Sequence, residues 1–291
     1  MTDVIAVDVG GTKLAAGVVA ADGTLVRRVE TPTRTDVDGD ALFAILARLV
    51  DSLEAHDAVA LGVGCGGPMD RGGEHVSPLN IPSWRGFPLR ERLSAHAGRP
   101  VWIDNDAKAL ALGEGWLGAA VGADDYLAMV VSTGVGGGIV LDGRLLDGVR
   151  GNAGHVGHVI VEPAGRVCAC GARGCLESEA SGTAIARITG ASPVQASLAV
   201  RKHTGMLVGR AVASVANLLD LSLAVVSGSV ALGFGEPFFR SAQRELDANC
   251  RLEFSRGARI VPGALGADGP LIGAARVAFC HLDPSGDAPH R

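Results

Sequence analysis

The stretch Val4-Ile-Ala-Val-Asp-Val-Gly-Gly-Thr-Lys-Leu-Ala-Ala-Gly-Val-Val-Ala20 sets the plan of the first half of the chain. Residues 4–9 are mostly β-branched and apolar, which predicts a buried strand, and Gly10-Gly11 ends it. A second strand runs to Ala20, and Asp22-Gly23 is typical of a hairpin turn before a third strand over 25–30. The first half therefore begins with a strand, a glycine turn and a hairpin.

The second half repeats this beginning. Residues 126–132 predict a strand, 133–138 a glycine-rich turn, and 139–141 a strand that leads into the hairpin turn Asp142-Gly143. Two halves with one plan indicate an internally duplicated α/β fold with a cleft between two domains that close around a substrate. We place these domains at residues 1–118 and 119–291, and we expect the last helix to pack back on the first domain.

Spacing of apolar residues predicts the remaining elements. Apolar residues at helical spacing predict helices over 40–55, 88–97, 107–117, 179–189, 206–220, 236–251 and 270–280. Short buried runs predict strands over 58–63, 101–103 and 223–226.

Composition narrows the class of protein. A length of 291 residues suits two domains, and a net charge of −5 argues against a nucleic-acid binder. We find no signal peptide and no apolar run of membrane-spanning length, so we expect a cytoplasmic protein with no membrane partner. Half of the six cysteines are clustered and the others are scattered, which suits a reducing compartment.

Residues 158–175 place one imidazole and three thiols close together in sequence. Such a set fits a tetrahedral zinc site, and Gly171 and Gly174 let the chain turn tightly enough for the sulfurs to meet. The protein supplies four ligands and leaves none open for water, so the zinc would be structural and a zinc hydrolase is not expected. The alternative is that these cysteines pack in the core or are redox-active. The predicted ligands are His158, Cys168, Cys170 and Cys175.

The turn after the first strand has the chemistry of a phosphate site. Gly10 and Gly11 let backbone N–H groups approach a phosphate, and Thr12 adds a hydroxyl donor. The carboxylate of Asp8 can hold Mg²⁺ through water, because hard cations prefer oxygen ligands. The spacing up to Lys13 is not that of a Walker A loop. The alternative is an ordinary tight hairpin in which Asp8 is a capping residue.

Two further turns repeat this chemistry. The second turn contains Thr133, Gly134 and Gly136, and a hairpin follows it instead of a helix, which argues against a Rossmann site. The third turn lies around Gly228, between small residues at a strand end. Two phosphate turns and a third turn for a base or ribose together predict an ATP site.

The run Asp104-Asn-Asp-Ala107 lies where a predicted strand meets a helix. Asp106 would lie near the helix N-terminus, which stabilises its ionised form. An ionised carboxylate there can accept the proton of a sugar hydroxyl that attacks a γ-phosphate. The alternative is that Asp104 or Asp106 only caps the helix.

With these motifs in hand, the chain resembles the ROK family (repressors, open reading frames and kinases) over essentially its whole length. The resemblance rests on Asp8–Lys13, Asp104–Ala107, Ser132–Gly138 and the cysteine and histidine knuckle. It implies an actin-like, ribonuclease-H-like fold of two domains. It also implies transfer of phosphate from Mg-ATP to the 6-hydroxyl of a hexose or N-acylhexosamine, by a homodimer or homotetramer.

The resemblance also assigns roles to single residues. It makes Asp106 the catalytic base and Asn105 its sugar-binding neighbour. It makes Glu177 a sugar ligand and places His158 both on the zinc and near the sugar. The loops that contact sugar hydroxyls are represented by Gly67 and Asn80.

One departure from the family pattern bears on the sugar. Many glucokinases of the family carry Glu where this chain has His155, in Ala153-Gly-His-Val-Gly-His158. Imidazole can donate and accept hydrogen bonds, whereas a carboxylate only accepts. N-acetylmannosamine kinases carry His at this position, and so do some glucokinase relatives. The resemblance therefore implies glucose as the leading substrate and N-acetylmannosamine as the alternative. The remaining interpretation is a neutral exchange that leaves the substrate unchanged.

A non-catalytic sugar sensor is the more remote alternative. The repressors of the family carry an N-terminal winged helix, whereas the first strand here begins at residue 4, and Asp106 is present. We therefore expect an enzyme that does not bind nucleic acid.

Overall fold

The computed structural model describes residues 2–282. Their contacts group the chain into two compact units. The first unit contains the chain up to Leu117, Arg144–Ala153 and the segment that begins at Ala267; the second contains Gly118–Gly143 and Gly154–Gly266. Residues 144–153 and the last helix thus group with the chain up to Leu117.

A mixed sheet of five strands forms the centre of the first unit, in the order β3-β2-β1-β4-β5. Strand β1 is antiparallel to β2 and parallel to β4, and β4 is parallel to β5. The strands are β1 (Val4–Val9), β2 (Lys13–Val19), β3 (Leu25–Pro32), β4 (Ala60–Cys65) and β5 (Val101–Asn105).

Helices cover both faces of this sheet, so β1 is apolar on both of its faces. Ile5 and Val7 pack in the core that contains the first two helices, while Val4 and Ala6 pack against the last one. Side chains alternate along a strand, so Asp8 shares the face of Val4 and Ala6, which is covered by the last helix. The helices of this unit are α1 (Gly39–Asp51), α2 (Leu89–Ala97), α3 (Asp106–Leu117) and α9 (Gly269–Leu282).

The sheet of the second unit repeats this plan in the order β10-β9-β6-β7. Strand β6 is antiparallel to β7 and parallel to β9, which is parallel to β10. The strands are β6 (Tyr126–Val131), β7 (Val135–Leu141), β9 (Leu223–Ser227) and β10 (Arg259–Pro262), and a two-residue strand β8 (Arg144–Leu145) follows β7 in the chain. The helices are α4 (Leu176–Ala180), α5 (Gly182–Thr189), α6 (Leu198–Leu219), α7 (Ser229–Phe234) and α8 (Glu236–Asn249).

The glycine-rich turn predicted over 133–138 is wrong for its second half. Strand β7 already begins at Val135, which pairs with Val131. Glycine is needed here because a Cβ at Gly137 would lie 2.8 Å from Val156 Cγ2 and 3.2 Å from the Gly154 carbonyl oxygen. These glycines therefore serve close packing on a strand, which a local pattern does not distinguish from a turn.

Caps explain where two helices depart from the prediction. The helix expected over 179–189 is interrupted at Ser181, whose side chain accepts a hydrogen bond from Ala184 N and caps α5. Helix α6 begins at Leu198, ahead of the expected residue 206, because Ser197 caps it through Val200 N. Helix α7 and strand β10 are short and were not predicted from the pattern.

Helix α6 packs closely on α8. A Cβ at Gly205 would lie 2.3 Å from the Phe238 carbonyl oxygen, and one at Gly209 would lie 2.2 Å from that of Ala242. Although α6 is 22 residues long, none of the helices in residues 2–282 is both long and apolar enough to cross a membrane.

We predict that Gly62→Ala lowers the free energy of unfolding by at least about 2 kcal/mol, because overpacking against a backbone cannot relax easily. A Cβ at Gly62 of β4 would lie 1.9 Å from the Ala274 carbonyl oxygen of α9. Gly233→Ala is the control, since a Cβ there meets nothing within 4 Å and alanine favours α7. Urea denaturation measures both; equal stability of the two variants would contradict the close approach of β4 to α9.

Candidate active site and metal centre

Parallel pairing brings polar side chains to one edge of the first sheet. Asp8 of β1 lies opposite Gly64 of β4, and Gly64 lies opposite Asp104 of β5. Strand β5 ends at Asn105, and α3 begins with Asp106. Because the carboxyl ends of parallel strands meet at one edge, the residues after β1 and β5 come close together.

Gly64 lies between the two predicted site acids. A Cβ there would lie 3.9 Å from Asp8 Oδ1 and 3.5 Å from Asp106 Cα. Burial raises the pKa of Asp8 to about 7, and the charge of Asp106 adds to the rise, while Lys13 and Arg28 oppose it. The proximity of the two acids therefore favours a bound proton or cation between them.

Asp106 is accessible to solvent, yet the surrounding protein displaces enough water to raise its pKa. Its Oδ1 accepts a hydrogen bond from Ala107 N at 2.8 Å, which opposes that rise. This bond fixes one carboxylate oxygen and leaves Oδ2 as the oxygen that can meet a substrate.

The cap of α3 differs from the sequence alternative, which placed it on Asp104 or Asp106. Asn105 Oδ1 accepts from Ala107 N at 3.0 Å and from Lys108 N at 3.4 Å, so Asn105 is the principal cap. Since both donors require an oxygen, the amide Nδ2 of Asn105 points the other way, as a donor. Asp104 accepts from Asn105 N at 2.7 Å and pairs with Lys108.

The first predicted phosphate turn is anchored by the chain that follows β3. Gly10 N donates to the Lys13 carbonyl oxygen at 3.0 Å and closes the turn. Thr33 donates through its backbone to the Thr12 carbonyl and through its hydroxyl to the Gly10 carbonyl, at 3.1 and 2.7 Å. The turn is thus held in place through carbonyl groups, which leaves the Gly11 and Thr12 amides for a ligand.

Gly11 also brings a predicted sugar residue to this turn. A Cβ at Gly11 would lie 2.5 Å from Asn80 Cβ, so a larger residue would displace Asn80. The loop of Asn80 returns to the end of β1: Gly66 N donates to the Val9 carbonyl at 3.4 Å, and Leu79 N to the Gly67 carbonyl at 3.2 Å. The structure therefore places Gly67 and Asn80 in one loop beside the phosphate turn.

Lys13 is paired on the surface of the first unit. Its Nζ donates to Glu30 at 3.1 Å, and Glu30 also accepts from Arg28 at 2.9 Å. These hydrogen bonds lower the pKa of Glu30. With the Lys13 side chain 42% exposed, the pair contributes little stability and can be exchanged for a phosphate.

In the second unit, the turn Ser132–Gly134 is held by the helices that follow the knuckle. Gly182 N donates to the Ser132 carbonyl at 2.7 Å, and the Thr183 hydroxyl donates to the Thr133 carbonyl at 3.0 Å. Gly136 lies outside this turn, in β7, where it pairs with Val130. The predicted phosphate contact of Gly136 thus belongs to a strand.

Glu177 joins the predicted sugar site of this unit to the same turn. Its Oε2 accepts from Val135 N at 3.1 Å, and a Cβ at Gly134 would lie 3.1 Å from this oxygen. Glycine at 134 therefore lets the carboxylate approach the turn. The third predicted turn is adjacent: Ser229 Oγ lies 2.9 Å from Ser132 Oγ, and Gly228 has a φ of +100° that disfavours other residues.

The predicted zinc ligands converge. Their donor atoms all lie within 4.8 Å of one another, with 3.8 Å between Cys168 Sγ and His158 Nδ1 and 3.7 Å between Cys170 Sγ and Cys175 Sγ. Bonds of about 2.3 Å in a tetrahedron place two sulfurs about 3.8 Å apart. The donor set and its spacing thus fit zinc.

Protein contacts also hold this knuckle. Buried Glu179 of α4 accepts from the backbone and the guanidinium of Arg166. Arg210 of α6 donates to the Val161 carbonyl at 2.8 Å. Gly174 is needed because a Cβ there would lie 1.7 Å from the Glu162 carbonyl oxygen.

Two histidines lie together at the start of the knuckle. The rings of His155 and His158 have centroids 6.0 Å apart, and His158 N donates to the His155 carbonyl at 3.0 Å in a short 3₁₀ turn. His155 is exposed, whereas His158 is partly buried beside the thiols. The imidazole of His155 therefore lies at the surface beside the candidate metal site.

Three residues that shape these sites were not singled out by sequence reasoning. Gly64 had a signal, because glycine weakens a buried strand and often marks a close approach. The bond from Thr33 to Gly10 and the pair of Glu30 with Lys13 had none, because 23 and 17 residues separate these partners in the chain.

We predict that Asp8→Asn raises the melting temperature of the Mg²⁺-free protein at pH 8 by about 5 °C. The folded protein binds the Asp8 proton with a pKa of about 7 and the unfolded chain with 3.8, so stability falls as the pH rises between these values. Asparagine removes this cost, and its gain should be smaller at pH 5, where folded Asp8 is already protonated.

Differential scanning fluorimetry in chelator at both pH values measures this effect. Asp57→Asn, at an exposed position of the same unit, is the matched control and should change neither value. A destabilised Asp8→Asn at pH 8 would show that the carboxylate stabilises the fold instead.

Comparisons with known proteins support the family resemblance. The ROK family model matches residues 4–279. A glucokinase of Thermotoga maritima is 31% identical over 306 residues, which cover 94% of this chain and 96% of that protein. An N-acetylmannosamine kinase of Citrobacter koseri is 36% identical over 247 residues, which cover 79% of this chain and 84% of that protein.

A solved structure agrees with these matches. The crystal structure of a ROK family glucokinase from Streptomyces griseus, in complex with glucose and AMPPNP, superposes with a TM-score of 0.84. It is 30% identical and covers 94% of this chain and 98% of that one. The resemblance that the motifs indicated is thus confirmed over nearly the whole length, and the chain belongs to the ROK family.

Proposed function

We propose that this protein is an ATP-dependent sugar kinase that transfers the γ-phosphate of Mg-ATP to the 6-hydroxyl of glucose. The observation that carries the proposal is Asp106, an accessible acid with a raised pKa at the junction of β5 and α3. The similarity to glucokinases of Thermotoga maritima and Streptomyces griseus supports the reaction and the sugar.

Asp106 is the proposed general base. Its raised pKa makes it a better proton acceptor than an ordinary aspartate. Ala107 N holds Oδ1, and Oδ2 takes the proton as the sugar oxygen forms its bond to phosphorus. Asn105 Nδ2 orients a neighbouring sugar hydroxyl, since its Oδ1 is engaged in the cap.

The turn after β1 binds the phosphates of the nucleotide. The backbone N–H groups of Gly11 and Thr12, the hydroxyl of Thr12 and the ammonium of Lys13 donate to phosphate oxygens, while Gly10 N closes the turn on the Lys13 carbonyl. The oxygens of Asp8 fit a hydrated Mg²⁺, which neutralises phosphate charge when bound. On the second unit, the nucleotide contacts are Thr133, Gly134 and Gly228, with Gly136 contributing from its strand.

The sugar contacts of the first unit are Gly67 and Asn80, with Asn105 and Asp106. Those of the second unit are His155, His158 and Glu177, which the knuckle presents. One carboxylate oxygen of Glu177 is held by Val135 N, so the other accepts from a sugar hydroxyl. Zinc, held by His158 and the three cysteines, fixes this segment and takes no part in the chemistry.

N-acetylmannosamine is the second candidate substrate. The observation that favours it is the imidazole at His155, which can donate to an acyl carbonyl as a carboxylate cannot. The similarity to the kinase of Citrobacter koseri supports the same alternative.

A panel of sugars tests the function directly. We expect ADP release from Mg-ATP with glucose, and we would compare mannose, fructose, N-acetylglucosamine and N-acetylmannosamine at equal concentration. Turnover confined to N-acetylmannosamine would move the substrate to the aminosugar. Sugar binding with no turnover on any of them would favour a sensor and contradict the kinase.

Asp106→Asn should reduce kcat at least about a thousandfold while sugar affinity stays within about threefold, because only proton acceptance is lost. Calorimetry gives the affinity and a coupled assay gives kcat. A loss of affinity as large as the loss of kcat would show that Asp106 binds sugar and is no base. His155→Glu, run on the same panel, should raise the preference for glucose over the aminosugar.

The knuckle should contain one zinc per chain in elemental analysis of the purified protein. Cys175→Ser should lose the metal, because three remaining ligands bind zinc less tightly, and sugar affinity should fall before the protein unfolds. Cys250→Ser is the control, since this buried cysteine lies outside the knuckle and should keep the zinc. Full sugar affinity in metal-free protein would contradict a structural zinc.

A further inference from the structure

Lys108 of α3 is a buried lysine that the proposed reaction does not use. Its side chain is 2% exposed, and its ammonium is enclosed by oxygens. Asp104 Oδ1 lies at 3.0 Å, Asp147 Oδ1 at 2.7 Å and the Gly151 carbonyl oxygen at 3.3 Å. An ammonium has three N–H groups, so these acceptors satisfy it completely.

The lysine is charged in this position. Burial disfavours the ammonium, but Asp104 and Asp147 outweigh burial and raise the pKa of Lys108. A buried charge of this kind costs several kcal/mol unless it is paired, and replacing such a pair by apolar residues is often neutral or stabilising. Stability alone is therefore a weak reason for this arrangement.

The three acceptors lie in two separate parts of the first unit. Asp104 is the penultimate residue of β5, two residues before Asp106. The hydrogen bond from Lys108 to Asp104 therefore fixes the junction that carries the proposed base. Asp147 and Gly151 lie in the segment Arg144–Ala153, which packs with the first unit. Lys108 thus ties this segment to the start of α3.

The same segment supports the loop that contains Gly67. Asn152 accepts from Met69 N at 3.3 Å and donates to the Met69 carbonyl at 3.0 Å, as a neighbouring strand would. Gly151 also lies against this loop, since a Cβ there would be 3.3 Å from Arg71 Cα. A continuous chain of contacts therefore runs from Asp106 through Lys108 to the loop at Gly67.

We propose that Lys108 is a positioning residue for the acceptor sugar, which holds the Gly67 loop at a fixed distance from Asp106 through Asp147 and Asn152. The inference rests on the proposed sugar kinase activity and on the proposed role of Gly67. The ammonium does not touch the sugar; it acts through the two ends of the contact chain. A purely structural lysine would affect stability and leave the kinetic constants of the two substrates unchanged.

Two variants separate positioning from folding. Lys108→Met removes the charge but leaves the partly buried Asp104 without its counter-ion, so it also destabilises the protein. Asp147→Ala removes the shorter of the two links to the segment and leaves the Gly151 carbonyl in place. The Asp147 side chain is 50% exposed, so the melting temperature should stay within about 2 °C. Lys202→Met, at an exposed lysine of α6, is the matched control and should change nothing.

We expect Asp147→Ala to raise the KM for glucose about fivefold and Lys108→Met about tenfold or more, because small displacements of a binding loop are costly. The KM for ATP should stay within about twofold. The double variant should be no worse than Lys108→Met, since both changes cut one path. A parallel rise in both KM values, or additive losses, would overturn the proposal.

Hydrogen exchange at Met69 tests the contact chain without any assay of activity. Its amide should lose protection in both variants but keep it in Lys202→Met; unchanged protection overturns the proposal. If the wild-type protein phosphorylates no sugar, the proposed function fails by itself. In that case, loss of protection at Met69 would show that Lys108 anchors the loop, and the proposed role of Lys108 in positioning the sugar would be overturned.

Discussion

The parallel pairing of β1, β4 and β5 is the constraint on which the candidate site of the first unit depends. Pairing fixes Asp8, Gly64 and Asp104 as neighbours, and the chain leaves β5 for α3 immediately after Asn105. Side chains alternate along a strand, so a shift by one residue would turn Asp8 to the opposite face of the sheet. The proximity of Asp8 and Asp106 is therefore a consequence of strand register. Burial of apolar side chains on both faces of the sheet sets this register.

Placing Asp8 beside Asp106 has an electrostatic cost that the fold does not remove. Burial and the charge of Asp106 raise the pKa of Asp8 to about 7, and the nearby cations only reduce the effect. The buried charge of Lys108 is different, because three acceptors surround it. The same unit thus satisfies the charge of Lys108 fully but leaves the charges of Asp8 and Asp106 only partly compensated. Ligand binding explains this acid pair better than a contribution to stability does.

Local pattern was enough for the elements whose signals are close in sequence. The hairpin that begins each unit, the start of α3 and the ligands of the knuckle each lie within a short stretch. The structure contains these hairpins and this helix start, and the four knuckle ligands converge as expected. The strand conformation of Gly137 in β7 could not be predicted from local pattern, since only packing against Val156 explains glycine there. The pairing of Lys108 with Asp147 also had no local signal, because Asp147 lies 39 residues further along the chain.

In the second unit, the candidate metal site and the predicted phosphate turn are structurally connected. Cys175 precedes α4, Glu177 of α4 holds Val135 N, and the start of α5 holds the carbonyls of Ser132 and Thr133. A displacement of α4 therefore reaches the turn through a carboxylate that is also a proposed sugar ligand. Because Glu179 and Arg210 also fix the knuckle, a zinc ion bound there would not hold this segment alone. Loss of the metal should consequently loosen the ligand-binding surface of the unit while its sheet remains folded, since the sheet has its own apolar core.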